Sequence, residues 1–204
     1  MADPAYIVDG VLTDGEAWVG IAHASLSLPA ATVTFTSTND GQTGDFSQYM
    51  DLVIICYTRS DRSAVHSYLH LNENNREGAR HTVMWMYTDG ATVNKSVGGA
   101  STAVQTIGYV MGASAGANEF SCTVTHLFDI NSGKNKSGMS VSAADSEGAG
   151  ETLINAINWR VEQPGVGAAA RTSAIFEIDL TTYSDDFVAG STFDLFGVLP
   201  RMVA

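Results

Sequence analysis

The stretch Gly190-Ser-Thr-Phe-Asp-Leu-Phe-Gly-Val198 decides the fold class, because it has the pattern of a strand packed on both sides. In an extended chain Phe196 projects from one face, while Phe193 and Leu195 project from the other. Large apolar side chains on both faces predict a strand inside a layered fold and not at a sheet edge. We therefore expect this stretch to pair with segments far back in the sequence.

Outward from this stretch, apolar and β-branched runs separated by turn residues recur along the chain. The strongest run is Leu52-Val-Ile-Ile-Cys-Tyr57, which we expect to be covered on both faces. Segment 153–161 is ambiguous, because Leu153 and Ile157 fit both a helical spacing and one face of a strand. We favour a strand there, since no helix-forming composition occurs elsewhere. The other predicted strands are 17–22, 32–36, 66–71, 83–87, 102–110, 120–128, 137–141 and 173–180.

The predicted strands, about nine to eleven in all, have the spacing of sandwiches and barrels. They predict an all-β protein, an antiparallel β-sandwich of jelly-roll-like arrangement. No linker or repeat divides the chain, so we expect one sandwich domain over residues 16–204. Residues 1–15 contain two turn signals, Asp9-Gly10 and Asp14-Gly15, and predict an extended N-terminal arm that anchors to a neighbouring protein.

The charge and hydropathy of the chain disfavour two classes of partner. Its formal net charge is -12, from 22 acidic and 10 basic side chains. Phosphate backbones need clustered Lys and Arg, so we expect no nucleic acid partner. No basic amphipathic stretch occurs, and no apolar run approaches the roughly 20 residues of a membrane span, so we expect no membrane partner. The first residues lack the pattern of a signal peptide, which predicts synthesis in a cytoplasm.

One short motif suggests an enzyme. Gly112-Ala-Ser-Ala-Gly116 matches the G-x-S-x-G pattern of a hydrolase nucleophile elbow. That mechanism needs Ser114 on a turn leading into a helix, whose first amides help to hold the oxyanion. Here the residues from Phe120 onward have a strand pattern. We therefore predict a structural turn and no catalytic residue, with a hydrolase such as a polysaccharide depolymerase as an alternative.

The histidines and carboxylates do not form a recognisable metal motif. The five histidines are His23, His66, His70, His81 and His126. Of these, His66 and His70 have a metal-binding spacing only on a helix, and on a strand they lie roughly 13 Å apart. The acidic residues considered are Asp185 with Asp186, Asp145 with Glu147, and Glu73, all predicted in loops. We expect no metal and no cofactor, while a bound Ca²⁺ and a glycosidase carboxylate pair stay open as alternatives.

The aromatic and cysteine residues also allow two interpretations each. Trp18, Trp85, Tyr87 and Trp159 have the rings of a sugar-binding platform, but their alternation inside strands predicts core or subunit-interface positions. Cys56 and Cys122 lie in apolar runs and predict buried free thiols, with a single disulfide left open.

Several further motifs occur in a fixed order over about residues 45–198. They are Tyr49-x-Asp51-Leu-x-Ile54, Arg59-Ser-Asp61, Leu69-x-Leu71-Asn72, Thr106-Ile-Gly-Tyr-Val-Met-Gly112-Ala-x-Ala115-x-Ala117, Phe120-Ser121, Thr172-x-Ala174-Ile175 and Asp186-Phe187-Val-Ala-Gly190-Ser-Thr-Phe193-x-Leu195-x-Gly197-Val198. In order and spacing they resemble a family of tailed-bacteriophage virion structural proteins. Members of that family end in Leu-Tyr-Gly-Ile, where this chain has Leu195-Phe196-Gly197-Val198.

The resemblance implies a location in the virion after synthesis in the host cytoplasm. The expected function is structural. The preferred role is that of a capsid decoration (cement) protein, and a tail- or fibre-associated host-adhesion protein is the alternative. The implied partners are copies of this chain, a homotrimer being our first expectation, and the major capsid protein or tail proteins. The resemblance supplies no catalytic, cofactor-binding or metal-binding residue.

Overall fold

A computed structural model describes residues 7–8, 11–12, 18–37, 44–74, 81–88, 92–100, 105–133, 135–146, 149–159 and 174–199. Within these ranges the chain consists of antiparallel strands and one short 3-10 helix, Phe46–Gln48. No helix among the described residues is long and apolar enough to cross a bilayer. The all-β prediction is confirmed.

Short strands near the N-terminus are followed by the strands of the sandwich. In chain order they are β1 Ile7–Val8, β2 Val11–Leu12, β3 Trp18–Ser25, β4 Thr32–Thr36, β5 Asp51–Thr58, β6 His66–Glu73, β7 His81–Thr88, β8 Val93–Ala100, β9 Gln105–Met111, β10 Ser121–Phe128, β11 Lys136–Ser146, β12 Ala149–Trp159, β13 Glu177–Thr181 and β14 Thr192–Val198. β1 and β2 pair with each other. The remaining strands form two sheets.

The two sheets have the strand order of a jelly roll. The larger sheet runs β3-β14-β5-β10-β11-β12-β7-β8, and the smaller runs β4-β13-β6-β9. From β3 to β7 the chain alternates between the sheets, and it crosses again at β9, β10, β13 and β14. The quartet β3-β14-β5-β10 therefore lies opposite β4-β13-β6-β9, with antiparallel neighbours throughout, as in two interleaved Greek keys.

Two hairpins widen the larger sheet only. The β7–β8 hairpin is inserted between β6 and β9, and the β11–β12 hairpin between β10 and β13. All four strands join the larger sheet beyond β10. The edge strand β9 of the smaller sheet contacts β10, β11 and β12. The larger sheet therefore extends past the smaller one, and β7 and β8 form an overhang.

The core lies between the sheets and follows from the alternation of each strand. Leu52 and Ile54 of β5 and Phe193 and Leu195 of β14 are fully buried. Phe187 packs edge-on against Phe193, with 4.9 Å between ring centroids. Burial of each such side chain contributes roughly 1.5–3 kcal/mol to the free energy of folding, so these rows hold the two sheets together.

The position of β14 confirms the prediction made from its pattern. It lies between β3 and β5 and is not an edge strand. On its outer side Phe196 contacts Trp18, with 6.2 Å between ring centroids. A Cβ at position 197 would lie 2.2 Å from the Tyr49 ring, so only glycine fits there. The prediction of a strand over 153–161 is also confirmed as far as the described residues reach, by β12 at Ala149–Trp159.

Some sequence-based expectations need correction. The predicted strands did not include Val93–Ala100, where Gly98, Gly99 and Lys95 are poor strand formers. Pairing with β7 nevertheless holds β8 in the sheet. The expected cover on both faces of β5 is only partial, since Tyr57 is exposed on the outer side. The expected arm over residues 1–15 lies largely outside the described residues, so the domain boundaries stay predictions.

Candidate functional site

The Gly112–Gly116 segment is a turn between β9 and β10, both of which are described throughout. No helix begins between Ser114 and Ser121. The Ser114 side chain is exposed, and its amide donates to the carbonyl of Ala64 at 3.1 Å. A Cβ at Gly112 would lie 2.1 Å from that same carbonyl oxygen. The glycine of this motif therefore serves close backbone packing, and the helix that a nucleophile elbow requires is missing.

The turn is held by one guanidinium group. Nη1 of Arg59 donates to the carbonyls of Gly116 at 2.8 Å and Glu119 at 2.9 Å, and Nη2 donates to Ala115 at 3.3 Å. The carboxylate of Glu119 in turn accepts from the amide of Gly116 at 2.8 Å. Arg59 thus binds backbone carbonyls of the turn and shapes it.

The histidines are separated from one another by the fold. Three of them each lie against one carboxylate: His23 with Asp194 at 2.6 Å, His66 with Glu151 at 3.0 Å, and His126 with Asp51 at 2.8 Å. The fourth, His70, packs against the Tyr183 ring. The His81 side chain lies outside the described residues. Among the described residues no group of His, Cys, Asp and Glu has the arrangement of a metal site.

The acidic candidates are also dispersed. The prediction that Glu73 lies in a loop is wrong, since it belongs to β6, is fully buried and accepts from Nε2 of Gln105 at 3.1 Å. Asp145 likewise lies within β11 and not in a loop. Asp185 is in a loop as expected, 3.5 Å from Arg62, and Asp186 follows it, whereas Glu147 lies outside the described residues.

The cysteine prediction is half wrong. Cys56 is buried, and burial raises the pKa of its thiol, whereas Cys122 is exposed on the outer face of β10. Both are free. Cys122 lies opposite Tyr57, one residue away from the register position of Cys56. Since neighbouring register positions project to opposite faces of the sheet, no disulfide links the two.

The outer face of the larger sheet carries a continuous apolar row, which we call the outer row. Cross-strand neighbours in register form it: Asp194, Ile55, Val124, Val141, Ile154, Met86 and Lys95. Four of its five apolar residues, Val124, Val141, Ile154 and Met86, are between 36% and 50% exposed. Charged residues occur only at its two ends, on β14 and β8. The row is thus an apolar stripe across five strands, with a charged residue of opposite sign on the next strand at each end.

Flanking rows extend this apolar surface. On one side, after His126 on β10, lie Met139, Ala156, Met84 and Val97. The row on the other side is apolar only in part, because it runs Tyr57, Cys122, Ala143, Thr152, Thr88 and Val93. Val93 and Val97 are 74% and 73% exposed. The outer face of the smaller sheet differs, since the row Thr34, Asp179 and Asn72 is polar. Its Thr34 hydroxyl donates to Asp179 at 2.6 Å.

The size of this surface distinguishes it from ordinary scattered exposure. Three rows over six strands cover a footprint of about 600 Å², from about 4.8 Å per strand and about 6.8 Å per row. This footprint includes the polar positions His126, Thr152, Thr88 and Lys95. The largest apolar patch on a typical monomer is roughly 300–600 Å², and a stable interface buries about 800 Å² per partner. A footprint understates accessible area because side chains project from it. The face therefore lies at the upper end of the range for monomers and approaches the size of one side of an interface.

The four aromatic candidates are not one platform. Trp18 lies on the outer side of β3, and the Trp159 side chain lies outside the described residues. Trp85 and Tyr87 project from the inner side of the overhanging β7 and line a groove together with Tyr109. The prediction that these aromatic residues lie in the core or at a subunit interface missed the groove. The groove forms only where the larger sheet extends past the edge of the smaller sheet.

Comparisons with protein-family models, with curated proteins and with solved structures find no match to this chain.

Proposed function

We propose that this chain is an assembly protein of a tailed-phage particle. The role that we favour is that of a capsid decoration protein. Its copies join through the apolar outer face of the larger sheet. The single observation that supports the assembly role is the outer row with its flanking rows. Exposed Val, Ile and Met side chains within a footprint of about 600 Å² favour burial against another protein. The virion setting rests on the sequence resemblance.

A second copy of this chain fits the face by symmetry. Val141 lies on β11, the middle strand of the seven that carry the outer row. A two-fold axis along β11 would place Val141 against its own copy and Val124 against Ile154. The same axis would bring Lys95 of one copy opposite Asp194 of the other. The row is therefore complementary to itself in charge and apolar along its middle, as an isologous interface requires.

Position on the particle and oligomer size are separate parts of the proposal. The proposed face would pair two copies, and the trimer expected from the sequence would need an additional contact between unlike patches. A tail- or fibre-associated adhesion protein is the second candidate, favoured by the aromatic groove. A depolymerase would need two carboxylates across a cleft, and the described lining of the groove includes one, Glu151.

Cross-linking tests the two-fold arrangement. In a Cys122→Ser background, Val141→Cys should cross-link efficiently to its own copy with a short bis-maleimide, because both thiols would lie at the axis. The matched control is Thr34→Cys in the same background, on the polar outer face of the smaller sheet. Equal cross-linking of both variants would contradict the arrangement.

A charged residue at the proposed two-fold axis tests the same face through its effect on self-association. Val141→Lys places two cations together in an apolar contact and should weaken self-association by about tenfold or more, as measured by sedimentation equilibrium. If the variant has the same native mass as the wild type at every concentration, this face is not the contact.

The capsid role is tested on intact virions. Antibody label should cover the heads in electron micrographs, and label confined to tails would contradict this role.

A further inference from the structure

A groove of about 430 Å³ lies where the larger sheet extends past β9. One wall comes from β6 and β9 of the smaller sheet, and the other comes from β12, β7 and β8. Its volume falls in the range of roughly 300–1,000 Å³ that is usual for small-molecule sites. Since β7 carries Met84 and Met86 on its outer side, the groove and the apolar face lie on opposite sides of the same strand.

Aromatic rings cover both walls of the groove. Tyr68 and Tyr109 are stacked, with 5.9 Å between centroids and an interplanar angle of 27°. His66 meets Tyr109 edge-on at 4.9 Å. Trp85 and Tyr87 line the opposite wall. This arrangement offers flat apolar surfaces on two sides of a narrow space.

Polar groups converge on the same space. Nδ1 of His66 lies 3.0 Å from Oε2 of Glu151, close enough for an ion pair but out of line for a hydrogen bond. Asn155 is fully buried in the lining and donates Nδ2–H to the carbonyl of Thr106 at 3.3 Å. Its Oδ1 has no hydrogen-bond partner. A buried acceptor without a partner is costly, so a ligand that donates a hydrogen bond there would be stabilised.

The edge of β9 is closed to a peptide strand at the groove. The amide of Tyr109 donates to Oγ of Ser142 at 2.9 Å, and its carbonyl accepts from Oγ of Ser121 at 2.7 Å. The Thr106 carbonyl is already engaged by Asn155. Because these backbone groups have side-chain partners, an added strand would have few groups left to pair with. A compact ligand fits the groove better than an extended peptide.

From this geometry we propose that the groove binds a neutral saccharide. A pyranose ring has an apolar C–H face that stacks on aromatic rings and a rim of hydroxyl donors. Glu151 and Asn155 supply acceptors for that rim, and the facing rings supply the stacking surface. The described lining contains no Lys or Arg, and the chain carries a net charge of -12, so acidic saccharides are disfavoured. The saccharide is bound and not cleaved, since Glu151 has no second carboxylate beside it in that lining.

Titration calorimetry of the whole protein tests the proposal with tetrasaccharides of N-acetylglucosamine, glucose and galactose, and with tetragalacturonate as the acidic probe. At least one neutral probe should bind and tetragalacturonate should not. Trp85→Ala should weaken binding by about tenfold, while the matched Trp18→Ala on β3 should leave it unchanged. Glu151→Gln, which keeps the shape of the side chain, should weaken binding while leaving the far-ultraviolet circular dichroism intact.

The same titrations can overturn the proposal. Absence of binding by every neutral probe at about 10 mM, where even a millimolar Kd would be visible, would exclude the site. So would binding that survives both Trp85→Ala and Glu151→Gln, or a preference for tetragalacturonate. None of these outcomes depends on self-association, because the apolar face lies on the other side of β7. Failure of this proposal is therefore distinguishable from failure of the assembly role.

Discussion

Acidification should destabilise this protein through one buried histidine. His70 lies on β6 with 8% of its surface exposed, and its ring meets that of Tyr183 at 5.9 Å. Burial disfavours the charged imidazolium and lowers the pKa of His70 from 6.5 to about 4. In the unfolded chain the same side chain is hydrated and keeps its ordinary pKa.

The sign and size of the effect follow from this difference. Below about pH 6.5 the unfolded state takes up a proton that the folded state accepts only near pH 4. His70 therefore stabilises the fold fully above pH 6.5, and this contribution is lost as the pH falls towards 4. The difference between the pKa values of the unfolded and folded states corresponds to about 3 kcal/mol of stability, at about 1.4 kcal/mol per pKa unit. About 2 kcal/mol of this stability is lost between pH 7.5 and pH 5.

Urea denaturation of the wild type and of His70→Phe measures this contribution. Phenylalanine keeps a ring against Tyr183 but does not titrate, so the variant should lose about 2 kcal/mol less than the wild type between the two pH values. For a domain of this size that is a difference of about 4–8 °C in the acid-induced decrease of Tm. His23→Phe, at an exposed position, is the matched control and should follow the wild type. Equal losses in the wild type and His70→Phe would refute the reasoning.

Further substitutions test the turn and the close packing of the last strand. Arg59→Lys should lower the free energy of unfolding, measured in urea, by about 2–4 kcal/mol, because a lysine side chain cannot donate to several carbonyls at once in this geometry. The control is Arg62→Lys, at a more exposed ion pair, which should lower the free energy of unfolding by less than about 1 kcal/mol. A result in which both cost the same would contradict the role of Arg59. Gly197→Ala should lower Tm strongly, because its Cβ would overlap the ring of Tyr49, whereas Gly133→Ala, with open space around it, should be near neutral. Combining Gly197→Ala with Tyr49→Leu should recover part of the loss, and a double variant no more stable than the single one would exclude the overlap as its cause.

Most of the sandwich could be predicted from local patterns, because a strand between two layers must alternate. Phe193 and Leu195 of β14 and the run from Leu52 in β5 illustrate this, since their burial follows from period two alone. β8 could not be predicted in the same way, because Gly98 and Gly99 lack strand propensity and pairing with β7 determines its conformation. Propensity is a weak signal wherever a neighbouring strand supplies the hydrogen bonds.

The candidate sites could be predicted from the sequence less well than the fold, because their composition depends on the tertiary structure. Trp85 and Met86 are adjacent in the sequence and look equally apolar, yet one lines the groove and the other belongs to the exposed outer row. Alternation predicts that they face opposite sides of a strand but not which side is covered. That choice depends on how far the smaller sheet reaches, and it ends at β9.

By itself, therefore, the sequence determined the all-β class, the inner position of the last strand and the absence of a helix after Ser114, because each depends on near neighbours along the chain. The jelly-roll strand order, the overhang of β7 and β8, and the meeting of Glu151 with His66 were decided only by the tertiary structure. Each of these arises from pairing between segments that are distant in sequence, where loop closure and the matching of whole faces determine the outcome and local preference does not.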